Sequence, residues 1–390
     1  MKKFHKMLAA ITILGMLSFL VPNMTLAAQV IQSRSDPTIY LIVKSSPDAN
    51  FTTQTQFRSA NLLKELKQTA SGPIAPLTLI ADTVIHFHHQ NQIIEYDVTS
   101  NGIVFDRTKH QILPLSKKTA DQLQAEVQKI RNQHYGELIS WDDLRTQIPK
   151  FAKFSITDLE TGLTYQVQRR AGSSHIDAQP LTSKDSNTMK KIYNDKWSWD
   201  RRAVLIQYKD HSWAGSINGM PHGGDGIPSN DFKGHFCIHF KGSRTHKNNH
   251  LDLAHQVMNY KAAGKLEEFV QNLTPEQIAE LWKFASNKQD QAILKAITWL
   301  GNPVYELDER PDSDAASAPK RAKKTKKQKR NKPKQKSTPI IRATHSNLIA
   351  LVPVTSNYTL PNHKHVRGTI YLRMVRTSPM DRWVIYQIEK

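Results

Sequence analysis

Gly234-His235-Phe236-Cys237-Ile238-His239-Phe240 is the stretch on which the reading of this chain turns. Read as a β-strand, its period of two puts His235, Cys237 and His239 on one face and Phe236, Ile238 and Phe240 on the other. A wholly apolar face opposite a polar one belongs to a strand lying on a core, so the surrounding region should be β-rich. Just upstream, Pro221-His222-Gly223-Gly224 adds a histidine on a loop able to fold back over the sulfur. Cys237 is the single cysteine of 390 residues. One thiol makes no intramolecular disulfide, which leaves three readings: a nucleophile, a metal ligand, or a small buried hydrophobe.

The flanking sequence supports a β-rich region over 151–260. Phe154 to Leu159 and Leu163 to Val167, joined through Thr161-Gly162, read as a hairpin. Ala203 to Tyr208 and Trp213 to Ile217 form a second strand pair, and a short helix lies near Ser186 to Tyr193. Residues 29–150 alternate differently. Thr38 to Lys44 is a strand rich in β-branched residues, Thr83 to Phe87 and Gln92 to Tyr96 a hairpin, and Gly102 to Phe105 a continuation of the sheet. Thr119 to His134 carries helical spacing in Ala120, Leu123, Val127 and Ile130. His86 and His88 share a strand face, the pattern of two surface histidines beside a turn.

Beyond 261 the pattern changes again. Thr274-Pro275-Glu276-Gln277 is a capping box with proline at the first helical position, and Ile278, Leu281, Trp282 and Ala285 form one apolar stripe. A second helix spans Ala292 to Leu300. Strand-like runs follow at Asn347 to Val354, Gly368 to Val375 and Trp383 to Ile388. Helices followed by antiparallel strands resemble the cone of nuclear-transport-factor-2-like accessory domains. The fold class expected is therefore multidomain α+β. A β-rich central domain (151–260) lies between an N-terminal α+β domain (29–150) and a C-terminal domain of helices plus antiparallel sheet (261–390).

Charge and export signals narrow the function classes. The formal net charge is +20, and eleven of the seventeen residues from Lys320 to Lys336 are Lys or Arg. A run of that kind repels itself and buries nothing, so 310–338 is read as a disordered basic segment interrupting the C-terminal domain. Its expected partner is an anionic surface, either wall polymers or acidic lipid headgroups. Lys2, Lys3 and Lys6, an apolar run from Met7 to Val21, and Thr25-Leu26-Ala27-Ala28 have the form of a secretory signal peptide over 1–28. The protein is accordingly expected outside the cytoplasm and associated with the cell wall, and no nucleic-acid partner is expected. The oligomeric state leaves no trace in the sequence.

The chemistry concentrates at Cys237. A cysteine beside imidazolium has a lowered pKa and should alkylate well below the range of an ordinary thiol. His222-Gly223 followed by His235-Phe236-Cys237-Ile238 resembles the catalytic motif of the L,D-transpeptidases, secreted enzymes that cross-link or modify peptidoglycan stem peptides. The resemblance implies Cys237 as the acyl-enzyme nucleophile, His222 as general base and His235 in support, with no cofactor. The motif departs from that family at Gly234, at Phe236 in place of a glycine, at His239, and in a shorter interval between His222 and Cys237. The wider cluster, with Trp197 to Arg202 and Asn218 to His222, is also similar to exported bacterial wall-associated proteins.

Gly234, His239, Arg202 and Trp199 are possible supporting residues. An arginine suits a stem-peptide carboxylate, and a tryptophan suits a substrate groove. The rival is a zinc site built from His175, Asp177, His235, Cys237 and His239, hydrolysing peptides through metal-bound water. No HExxH or CxxC motif accompanies it. A third reading is a wall-binding protein without catalysis.

Overall fold

Sixteen strands and eight helices organise the described residues into three sheets. The structure, a computed structural model, describes residues 38–67, 72–73, 79–89, 92–224, 226–245, 249–299, 304–306, 347–359 and 365–389. The expected signal peptide (1–28) and basic segment (310–338) lie outside them. None of the described helices is long and apolar enough to cross a membrane.

The first sheet is antiparallel, in the order β2-β1-β3-β4-β5-β6. Its strands are β1 (Thr38–Lys44), β2 (Thr52–Gln56), β3 (Ala81–His89), β4 (Gln92–Thr99), β5 (Val104–Asp106) and β6 (Gln111–Ile112). Helix α1 (Ala60–Lys67) precedes β3, and α2 (Lys117–His134) lays Leu123, Val127 and Ile130 on Ile39, Leu41, Ile85 and Phe87. His86 pairs with Glu95 at 3.0 Å and His88 meets the ring of Tyr40, so the two histidines answer to different neighbours.

The central strands close into a six-stranded antiparallel barrel, in the order β10-β11-β12-β9-β8-β7. They are β7 (Lys153–Asp158), β8 (Thr164–Ala171), β9 (Ile176–Pro180), β10 (Arg202–Tyr208), β11 (His211–Ile217) and β12 (Phe236–His239). Pairing of β10 with β7 shuts the ring. Phe236, Ile238 and Phe240 are fully buried in the core with Ile156, Val167, Val204 and Trp213. Each such side chain contributes about 1.5–3 kcal/mol of apolar burial. Between the first sheet and the barrel strand β7 lies the short helix α3 (Trp141–Leu144), and α4 (Ser183–Ile192) follows β9 under a Thr182–Asp185 capping box.

Strand β10 is buried along both faces. Val204 and Ile206 enter the barrel core, whereas Ala203 and Leu205 join a second core built by the C-terminal helices. Those helices are α5 (Leu253–Ala262), α6 (Leu266–Gln271), α7 (Pro275–Lys288) and α8 (Gln291–Ile297). Trp282 and Leu281 of α7 pack in the same core as Ala350, Val352, Ile370 and Leu372 of the last sheet. That sheet runs β13-β16-β15-β14, with β14 (Ile349–Thr359), β15 (His365–Val375) and β16 (Val384–Glu389) antiparallel and the short β13 (Val304–Glu306) parallel to β16. The protein is thus mixed α/β, and helix α5 runs through the expected boundary at 260/261.

Lys261, only 3% exposed, joins the three regions. Its Nζ lies 2.6 Å from Glu160 in the β7–β8 turn and 2.8 Å from Asp290, the N-cap of α8. Glu160 also accepts from Ser46 at 2.5 Å, just beyond β1, while its carbonyl receives the N–H of Asn50. Burial opposes the lysine's charge, yet Asp290 and Glu160 hold its pKa above the ordinary value. Lys261→Met leaves two carboxylates without their cation, and should cost about 3–5 kcal/mol. The check is a urea unfolding curve with a lowered midpoint and an unchanged slope.

His134 is fully buried at the end of α2, stacked on Phe51, with Nδ1 2.9 Å from Thr53 Oγ1. Burial first, then Arg131, pushes its pKa down from 6.5 to about 4 against the pull of Asp82. Above pH 6.5 neither folded nor unfolded His134 is charged. As pH falls from 6.5 towards 4 only the unfolded chain takes the proton, so stability is lost in that window, by on the order of 3 kcal/mol. His134→Gln should flatten the acid limb of stability by about that amount, read from denaturant midpoints at neutral and acid pH.

Candidate active site

Strand β12 carries the sulfur between two neighbours. It pairs with β11 through Ser216↔His239 and Ile217↔Ile238, and with β9 through Phe236↔Ala178 and Cys237↔Asp177. With the phenylalanines and Ile238 turned into the barrel, Cys237 lies on the opposite face, 4% exposed. Phe236, the residue that stands where the resembling motif has glycine, is an ordinary core residue of a regular strand.

The loop after β11 returns to the start of β12 and bonds to it. His222 N–H donates to His235 O at 3.0 Å, and His235 N–H donates to His222 O at 2.7 Å. Two glycines allow this approach. Gly223 (φ +74°) faces the His235 ring, which a Cβ would meet at 2.2 Å. Gly234 (φ +106°) lies so close to His222 that a Cβ would stand 2.3 Å from its carbonyl oxygen. Both occupy the left-handed region that side chains avoid. The short interval between His222 and Cys237 is therefore spanned by a two-residue bridge.

This bridge sets His222 Nε2 3.3 Å from Cys237 Sγ. The other ring nitrogen, Nδ1, lies 2.9 Å from Met220 O. A carbonyl only accepts, so the proton of neutral His222 resides on Nδ1 and Nε2 presents its lone pair to the thiol. The ring is thus held in the tautomer that accepts the S–H proton. Asn218, buried at the end of β11, hydrogen-bonds the sulfur through its side chain.

The thiol itself departs from the expectation of a lowered pKa. Burial first, and then the nearby Asp177 carboxylate, push Cys237 up to about 12 against the opposing hydrogen bond from Asn218. The resting sulfur is therefore a neutral thiol. An imidazole can activate a neutral thiol as a general base, at the moment the electrophile arrives.

The supporting residues divide. His235 packs edge to face on His222, with ring centroids 4.5 Å apart, and its Nε2 lies 3.6 Å from Asp177 Oδ1. Trp199 stands at the rim, 50% exposed, its ring 5.0 Å from that of His222. Arg202 is not available as a substrate clamp. Its Nε and Nη2 donate to the two oxygens of the buried Asp158, at 2.9 and 2.6 Å. His239 lies in a column of stacked imidazoles, its ring centroid 4.5 Å from that of His175 and 3.8 Å from that of His255 of α5. Burial keeps His239 and His255 neutral, with pKa values well below the ordinary one.

Of the five residues of the expected zinc set, His175, Cys237 and His239 bring donor atoms within 4.8 Å of one another. Asp177 touches His175 at 3.2 Å, while His235 belongs with His222. Sequence reasoning missed Asn218 as a partner of the sulfur and His255 as a member of the column. Asn218 had a signal, since it opens the Asn218-Gly-Met-Pro-His222 run. His255 had none, because nothing local marks it as facing β11.

Alkylation by iodoacetamide distinguishes the two protonation states of the dyad. The folded protein should react slowly at neutral pH compared with the same cysteine in denaturant, with a rate still rising beyond about pH 9. A plateau below neutrality would signify a thiolate–imidazolium pair and overturn the neutral assignment. Comparison of the chain with protein-family models, with curated proteins and with solved structures finds no match in any of the three.

Proposed function

We propose that this protein is a cysteine acyltransferase of the cell wall, similar in its chemistry to the L,D-transpeptidases, acting on peptidoglycan stem peptides. The observation that carries the reading is the Cys237–His222 contact at 3.3 Å, with His222 locked in its accepting tautomer by Met220. In the proposed reaction a stem-peptide carbonyl enters beside Trp199. The S–C bond forms as the thiol proton moves to His222 Nε2, giving a tetrahedral oxyanion. Breakage of the C–N bond returns that proton from His222 to the leaving amine and leaves a thioester. An incoming amine then attacks the thioester carbon and gives its proton to His222, which passes it to the departing sulfur. Water in place of the amine gives hydrolysis. Asn218 is suited to steady the sulfur as it loses its proton.

The regions around the barrel are read as accessory. The N-terminal sheet (29–150) and the helices with the last sheet (261–390), the latter resembling a nuclear-transport-factor-2-like domain, frame the central domain. The basic segment (310–338) is read as a tether to anionic wall polymers or membrane surface of a secreted protein. A zinc peptidase is supported less well. Of the five residues expected to hold the metal, His175, Cys237 and His239 bring donor atoms together, while His235 packs on His222 instead.

The test uses the full chain, isolated stem tetrapeptides and intact-mass spectrometry. Wild type should accumulate a covalent adduct on Cys237 and release exchanged or hydrolysed peptide. Cys237→Ala should give neither while unfolding at an unchanged denaturant concentration. His222→Ala should slow adduct formation by about 10²–10⁴-fold, the usual contribution of a positioned general base. Full wall-related function in the Cys237→Ala protein would sink the enzyme reading and leave a binding protein.

A further inference from the structure

Besides His222, Cys237 has a second set of donors close to its sulfur. His175 and His239 place one ring nitrogen each with the sulfur in a group whose members lie within 4.8 Å of one another, all buried. Tetrahedral zinc, with bonds of about 2.0–2.3 Å, spaces its ligand atoms about 3.3–3.8 Å apart, so small side-chain rotations close the group.

Two further observations point to a cation. His175 Nδ1 lies 2.8 Å from Arg244 O, which only accepts, so Nδ1 carries the proton. Nε2 is then the ring nitrogen left for a ligand, and it lies 3.2 Å from Asp177 Oδ1. A ring nitrogen that bonds a carbonyl while its partner nitrogen ligates is the usual outer support of a metal-bound histidine. His239 Nδ1, in turn, is buried with no hydrogen-bond partner among the described residues, in a residue 2% exposed.

We propose that His175, Cys237 and His239 form a site for a thiophilic divalent cation, with zinc as its type, and that occupancy switches the thiol off. Binding breaks the S–H bond and forms an S–metal bond. The proton leaves through His222 Nε2, already 3.3 Å from the sulfur. The thiolate and the adjacent Asp177 carboxylate balance the two charges of the ion. The bound sulfur donates its charge to the metal and is crowded by the other ligands, so it is a poorer nucleophile towards a carbonyl and metal and acyl group compete for it. This consequence rests on the acyltransfer reading; the binding does not.

The experiment titrates the reduced, chelator-treated full chain with Co²⁺ and then Zn²⁺. Cobalt should give a thiolate-to-metal charge-transfer band saturating at one equivalent and bleached by zinc. The band should be absent from Cys237→Ser and from His239→Ala. Zinc at ten times its Kd should slow iodoacetamide alkylation of Cys237 about tenfold, reversibly on chelation. In His239→Ala the same zinc should leave alkylation unchanged. A missing band, a band that survives in His239→Ala, or alkylation indifferent to zinc would overturn the site. If His239→Ala fails to fold by circular dichroism, His175→Asn takes its place in the same comparison. Sulfur-bound cobalt without any acyl-enzyme keeps the metal site and sinks the proposed function; an acyl-enzyme without the band does the reverse.

Discussion

The ion cluster of Lys261, Glu160 and Asp290 is the constraint on which the rest of the structure depends. It joins a helix packed on the barrel, a turn of the barrel itself and the cap of a second helix, and through Ser46 it reaches the first sheet. A lysine at 3% exposure is stable as a cation only when its hydrogen bonds are filled by acceptors of opposite charge. Glu160 can serve only if the β7–β8 turn is in place, and Asp290 only if α8 is formed. The three regions are accordingly bound by a polar contact that tolerates no sliding, while the apolar packing of Trp282 and its neighbours supplies most of the attraction.

That rigid frame explains how a buried thiol can be given a defined partner. The barrel fixes the sulfur on the outer face of β12, and the two hydrogen bonds between His222 and His235 fix the imidazole over it. The sulfur carries no charge at rest. Burial and Asp177 disfavour the thiolate, and the Met220 carbonyl selects the ring tautomer. Orientation replaces ionisation as the means of activation. On the proposed acyl-transfer reading, a thiol held this way is quiet until a substrate carbonyl is close enough to receive it.

Much of the fold was legible where the side-chain pattern and the backbone agree. The strand at Thr38 to Lys44, the hairpin around Gly162, the pair around Lys209 and the capped helix at Thr274 all stand where their residues put them. Strand β9 escaped notice because Asp177 and Gln179 are buried polar residues that erase its alternation. Helix α5 escaped for the same reason: His255, Gln256, Asn259 and Lys261 are all buried, so no polar face announces an amphipathic helix. Barrel closure between β7 and β10 is a long-range pairing with no local sign. At the site, His222 and Cys237 could be named from their motif. The direction of the thiol's pKa could not, because it is set by burial and by an aspartate from the unrecognised strand.

The closed barrel also decides when the sulfur is chemically visible. In the unfolded chain Cys237 is an ordinary cysteine, open to any oxidant or disulfide it meets. Only when β12 has been zipped between β9 and β11 does the sulfur lose its contact with bulk solvent and its tendency to ionise. Folding is therefore the step that shields this thiol from oxidation, and the speed of barrel closure determines how much of the protein keeps its thiol intact wherever an oxidant is present.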